Sequence, residues 1–168
     1  MIKIIDNVLN DLHFAKLKTN LLDNLNFPWY LGKIVDEKSN SPYQFCHIFY
    51  GEQKINSNYF TLIEPILQIL KVKNLIRIKA NIILKTSEIV KHDFHIDTKA
   101  EKKFNTAIYY LNDNNGFTEF ENGKIVKSIS NRLVIFDGKI KHRGTSCSDN
   151  NYRSVINFNY LKKDMMKK

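Results

Sequence analysis

The chain has 168 residues, 43% of them hydrophobic, and carries 26 lysines and arginines against 17 aspartates and glutamates, a formal net charge of +9. That length supports one domain with a sizeable core and is short for two, and the two cysteines, Cys46 and Cys147, exclude a disulfide framework and any Cys-x-x-Cys metal or redox motif. Residues 1–6 lack the apolar run of a signal peptide, and no later stretch approaches the roughly 18 apolar residues of a membrane span, so the expectation is a soluble protein of a reducing cytoplasm with no membrane partner.

Residues 2–5 alternate weakly and read as a short edge strand. A helix is expected next, capped by Asp6 or Asn7 and carrying Val8, Leu12, Ala15, Leu22 and Leu25 at helical spacings, and ending before Pro28. Phe27-Pro28-Trp29-Tyr30 is an aromatic cluster that either caps the core or faces a substrate, the first being favoured. Residues 44–50 read as a strand holding His47 as a structural histidine. Ser57 can cap a second helix with Leu62, Ile63, Ile66, Ile69 and Leu70 on its apolar face, continuing to about Val72. Pro65 means that either a short turn precedes the helix proper or the helix kinks.

From residue 75 the pattern changes to β-branched runs separated by turn signals, with strands expected at 75–84, 89–97, 105–112, 116–121, 124–129, 132–137, 140–145 and 153–161. Asn115-Gly116, Asn122-Gly123 and Asp137-Gly138 offer the positive φ of tight hairpins. Eight short strands after two helices predict a mostly β fold with N-terminal helices, a double-stranded β-helix or jelly roll. The organisation is one domain over 1–168: a helical support region at 1–74, a β-helix core at 75–161 and a basic tail at 162–168.

The chemistry concentrates in Lys91-His92-Asp93-Phe94-His95-Ile96-Asp97. On a strand, His95 and Asp97 leave the same face and can serve one metal ion. Two histidines and one carboxylate on one face of an octahedron are the ligand set of non-haem Fe(II) oxygenases. His-x-Asp alone is a weak motif, but the next histidine downstream, His142, follows the apolar strand Leu133-Val134-Ile135-Phe136 and an Asp-Gly turn, and can return across the sheet to complete a triad. Farther on, alternation places Arg153, Val155, Asn157 and Asn159 on one face and Ser154, Ile156, Phe158 and Tyr160 on the other. A guanidinium and two amides on an inward face point to a polar ligand, and a guanidinium takes a carboxylate with two parallel hydrogen bonds. His92 falls on the opposite parity from His95 and reads as exposed or structural. Lys79 and Asn81 face either the mouth or solvent.

Taken in order, His95-x-Asp97, the run Thr106 to Asn112, Gly116-Phe117-Thr118-Glu119-Phe120, Leu133 to Phe136, His142 and Arg153 resemble the Fe(II)- and 2-oxoglutarate-dependent dioxygenases, in particular the prolyl 4-hydroxylase-like branch and its small bacteriophage-encoded members. The resemblance covers residues 75–161 and, more loosely, the N-terminal half. It implies that His95, Asp97 and His142 are the catalytic metal ligands for Fe(II), and that 2-oxoglutarate binds the metal and reaches Arg153 with its distal carboxylate. It further implies that Tyr110 touches that carboxylate and that Thr118 lines the pocket, with Asn157 able to supply a contact. The family often has a serine two after the arginine; here Val155 stands there, so Ser154 should face away. Dioxygen is the implied oxidant, ascorbate the implied reductant, and host cytoplasm the implied location if the gene is carried by a phage. Related halogenases lack the carboxylate, so Asp97 implies hydroxylation of a C–H bond in a peptide, with proline the leading target, or in a small molecule.

The positive charge suits nucleic acid, but it is spread along the chain and clusters only at 99–103 and in the tail, so nucleic acid is a partner that is not favoured. The alternatives are therefore an oxidative demethylase of nucleic acid using the same iron chemistry and a non-catalytic jelly-roll binding module. Substrate selection is expected in loops 30–43, 51–57, 85–90 and 98–104; no code in them names the target, and oligomeric state is not encoded legibly.

Overall fold

The computed structural model describes residues 1–34, 42–98 and 103–162. The run 99–103, the tail 162–168 and the loops 30–43 and 98–104 therefore lie partly outside the described residues.

The N-terminal strand β1 (Lys3–Ile5) pairs antiparallel with β9 (Arg132–Asp137). Helix α1 (Asp11–Lys18) starts later than its apolar spacing suggests. Its cap is Asn10, whose side chain accepts from the His13 N–H at 2.9 Å, while Asn7 takes a positive φ of 50° in the loop before it. The helix runs into a π turn at Thr19–Asp23. The aromatic cluster then closes this end of the core: Phe27 is buried against Trp29, His47, Phe49 and Tyr59, and Trp29 Nε1 donates to the Leu21 carbonyl. Strands β2 (Tyr30–Lys33), β3 (Tyr43–Gly51) and β4 (Lys54–Ile55) follow. His47 in β3 is structural, with its ring nitrogens at 2.8 Å from the Pro28 carbonyl and 2.7 Å from Ser57 Oγ.

Pro65 is accommodated by a 3₁₀ turn at Phe60–Ile63, after which α2 (Glu64–Leu70) begins with the proline in its first turn. Lys71, in the left-handed conformation, ends it. The chain enters β5 (Val72–Leu84) at once, three residues earlier than the β-branched pattern indicates. The remaining strands are β6 (Asn105–Tyr110), β7 (Phe117–Phe120), β8 (Ile125–Lys127), β10 (His142–Gly144) and β11 (Tyr152–Lys162).

The large sheet runs β1-β9-β6-β11-β5-β3-β2 with β4 beside β3, and a small sheet runs β10-β7-β8. Strand periodicity sorts the side chains between two layers. Ile78, Ala80, Ala107, Tyr109, Ile156, Phe158 and Tyr160 pack under the helices with Leu17, Leu21, Ile63, Ile66 and Leu70. Their neighbours Ile108, Tyr110, Val134, Phe136 and Val155 face the small sheet with Phe120 and Val126. Two facing antiparallel sheets with helices on the outer face of the larger one make the expected jelly roll.

Residues 89–97 do not form the expected strand. They contribute two isolated antiparallel bridges, Lys91 to Thr145 and His95 to His142. Of the three glycine turns, only Gly123 adopts positive φ, at 82°. Gly138 and Gly116 are needed for close approach instead: a Cβ on Gly138 would land on the buried Phe104 ring, and one on Gly116 would sit 2.7 Å from Arg153 Cδ. Among the described residues no helix is long and apolar enough to cross a membrane.

Candidate metal centre and carboxylate pocket

A cavity of about 760 Å³ opens between the two sheets. His95, Asp97 and His142 lie on its wall with one ligand atom from each within 4.8 Å of the others. Their meeting owes less to strand parity than to one long-range pairing. His95 N–H donates to the His142 carbonyl at 2.9 Å and His142 N–H to the His95 carbonyl at 3.1 Å, which lays the irregular segment beside β10 and sets the two imidazoles 5.0 Å apart, centre to centre.

The ring orientation follows from local backbone contacts. His95 Nδ1 lies 3.0 Å from the Asp93 carbonyl and His142 Nδ1 lies 3.2 Å from the Ile140 carbonyl. A carbonyl can only accept, so each Nδ1 carries the proton and each Nε2 keeps its lone pair. Those Nε2 atoms stand 3.6 and 3.8 Å from Asp97 Oδ1. Two neutral imidazole nitrogens and one carboxylate oxygen, converging with a cavity on their open side, are a donor set that fits a divalent transition metal such as Fe(II).

Asp97 is held from behind by residues that sequence reasoning did not single out as partners. Asn159 Nδ2 donates to Asp97 Oδ2 and to Thr106 Oγ1, both at 3.0 Å, Arg77 Nη2 stands 3.7 Å from Asp97 Oδ1, and Arg77 Nε reaches Asn159 Oδ1 at 3.4 Å. The available signal was parity, since Asn159 shares its face with Arg153, and Arg77 shares its face with Lys79 and Asn81. Burial opposes the Asp97 charge, but His95, His142 and Arg77 outweigh it and hold the carboxyl well below the usual carboxylate range. Burial also works against protonation of both histidines; beside Asp97 the pKa of His95 is nonetheless raised, while burial prevails at His142 and lowers it.

Arg153 lies deeper in the same cavity, only 3% exposed. Its Nε donates to Ser128 Oγ at 2.9 Å and its Nη2 to Thr118 Oγ1 at 3.0 Å, and its guanidinium lies 5.6 Å from the centre of the Tyr110 ring. Among the described residues no carboxylate pairs with it. Burial lowers its pKa, yet a guanidinium stays charged, so among the described residues this buried cation is held by hydroxyls and an aromatic face. Gly144 makes room, since a side chain there would come within 3.3 Å of Arg153 Nη1. Thr118 lines the cavity; fully buried Tyr110 supports it from outside the lining, its hydroxyl donating to Thr118 Oγ1 at 2.8 Å.

Among the other lining residues, His92 departs from the face that parity gave it. His92 is buried in the cavity wall, because pairing with the small sheet, not strand parity, orients this segment. Lys79, Asn81 and Asn157 line the cavity, the first two buried. Ser154 faces away into the core, as expected.

No protein-family profile and no curated protein matches the sequence. Solved structures do match in fold. A Pseudomonas putida prolyl-4-hydroxylase aligns with a TM-score of 0.65 at 13% identity over 96% of this chain and 92% of its own. An oxidoreductase of the 2OG-Fe(II) oxygenase family from Burkholderia pseudomallei aligns with 0.66 at 10% identity, over 95% and 84%. A Trichoplax adhaerens prolyl hydroxylase, in complex with a hypoxia inducible factor oxygen degradation domain peptide fragment, aligns with 0.60 at 15% identity, over 95% and 83%. The chain thus has the jelly-roll fold of the prolyl hydroxylases and 2OG-Fe(II) oxygenases, with a candidate His-Asp-His metal centre in its cavity.

Proposed function

We propose that this protein is an Fe(II)- and 2-oxoglutarate-dependent oxygenase that hydroxylates a C–H bond, with a prolyl residue of a peptide as the leading target. The observation that carries the reading is the pairing, in one cavity, of a three-donor metal centre with a buried guanidinium that lacks a carboxylate partner among the described residues. The fold shared with prolyl hydroxylases, one of them holding a peptide, supports the peptide as substrate.

His95, Asp97 and His142 would hold the metal through Nε2, a carboxylate oxygen and Nε2. When bound, Fe(II) supplies the redox chemistry that couples oxidation of a substrate C–H bond by dioxygen to decarboxylation of 2-oxoglutarate to succinate. Arg153 and the Thr118 hydroxyl would take the distal carboxylate, with Tyr110 fixing Thr118 and Asn157 offering its amide N–H groups along the way. The Asp93 and Ile140 carbonyls keep the imidazoles in the ligating tautomer, and Asn159 and Arg77 keep Asp97 ionised and oriented. Ile83, Phe94, Phe104 and Ile108 supply apolar wall that limits water around the reacting groups.

Succinate release from protein, Fe(II), ascorbate and 2-oxoglutarate with a panel of prolyl peptides tests the reading. His142→Ala and Asp97→Ala should abolish it, and Arg153→Ala should raise the 2-oxoglutarate requirement by roughly 10²-fold or more while sparing metal binding, since a buried charge-assisted pair is lost. Normal turnover in the triad variants would end the proposal.

A further inference from the structure

Four buried side-chain polar atoms lack a hydrogen-bond partner among the described residues: Asn81 Oδ1, His92 Nδ1, Asn157 Oδ1 and Ser154 Oγ. Three of them belong to residues on the wall of the one cavity that holds the metal centre. A buried amide oxygen without a donor is destabilising, and Leu or Val would fill the same place in a strand without that cost. Clustering of such groups at one wall marks that wall as one that suits a polar ligand.

The cosubstrate does not account for Asn81. Ionised 2-oxoglutarate offers oxygen acceptors and no donor, so it can use the N–H groups of a carboxamide but leaves the amide oxygen unsatisfied. Its placement disagrees as well. Arg153 stands near one end of β11 and Asn159, which holds Asp97, stands toward the other, so a ligand spanning Arg153 and the metal centre follows β11. Asn81 stands on the neighbouring strand β5, opposite Val155, about 4.8 Å to the side, with Gln44 of β3 beyond it on the same wall.

We infer that Asn81 is a specificity-determining residue that binds the primary substrate, and that it selects a substrate group carrying a hydrogen-bond donor and an acceptor side by side. Asn157, diagonal to Asn81 across the two strands, flanks the place where the two ligands meet. Two sources have this chemistry: a peptide amide and the neighbouring hydroxyls of a polyol or sugar. The inference rests on the oxygenase reading above and goes beyond it in naming what the second ligand must present.

The test uses the whole protein loaded with Ni(II), a redox-silent stand-in, and 2-oxoglutarate. Thermal unfolding is followed with N-acetylprolinamide or sorbitol added at equal millimolar concentration, against wild type, Asn81→Leu and, in case leucine does not fit, Asn81→Ala. In wild type one of the two probes should raise the Tm further, naming the source, and neither variant should respond. Ligand-free Asn81→Leu should melt roughly 2–4 °C above wild type, because an orphaned polar group has been removed, and 2-oxoglutarate affinity should stay within twofold. A tenfold loss of 2-oxoglutarate affinity in both variants would assign Asn81 to the cosubstrate and overturn the inference. So would a wild type stabilised by Ni(II) with 2-oxoglutarate but by neither probe. A wild type that does not respond to Ni(II) with 2-oxoglutarate fails the oxygenase reading itself.

Discussion

Burial of His92 predicts a specific loss of stability in mild acid. The imidazole sits in the cavity wall, and burial first, then the nearby charges of Arg153 and His95, lower its pKa from 6.5 to about 4. Between those values the unfolded chain holds a proton on this side chain and the fold does not. The contribution is therefore complete above pH 6.5 and is lost progressively as pH falls toward 4. A pKa drop of that size corresponds to about 3 kcal/mol in full, and about 2 kcal/mol of it should be gone by pH 5. Urea unfolding of metal-free wild type and His92→Phe at pH 7.5 and pH 5.0 isolates this residue, because the other histidines titrate in both proteins. Wild type should lose about 2 kcal/mol more than the variant on acidification. Equal losses would show that His92 is not held neutral by its surroundings, and the burial argument would fail.

Two further perturbations probe the scaffold. Gly138→Ala should destabilise by about 2 kcal/mol or more in denaturant unfolding, because the new methyl group meets the Phe104 ring in a closed part of the core; an unchanged midpoint would contradict the close approach. Asn131→Ala should lose about 2–3 kcal/mol, since Asn131 Oδ1 accepts from Leu9 N–H at 2.9 Å and Tyr109 Oη at 2.8 Å, its Nδ2 donates to the Leu9 carbonyl at 2.8 Å, and its φ of 58° suits asparagine better than alanine. Amide exchange should speed up first at Leu9, where the N-terminal segment is tied to the sheet.

What the amino-acid order alone determined was local. Period-two alternation put Arg153, Val155 and Asn157 on the cavity side of β11 and Ile156, Phe158 and Tyr160 under the helices, because side-chain direction in a strand depends on parity and nothing else. His95, Asp97, His142 and Arg153 were legible as chemistry-bearing residues by type and spacing. Tertiary structure decided how they meet. The segment around His95 is not a strand, and its approach to β10 rests on pairings between residues about fifty apart in sequence, which no local pattern records. That pairing also turned His92 inward against its parity. The partners of Asp97 and Arg153, drawn from β5, β7, β11 and the residue following β8, became visible only when the sheets closed, since a hydrogen bond between distant strands depends on register, and register is a property of the whole fold.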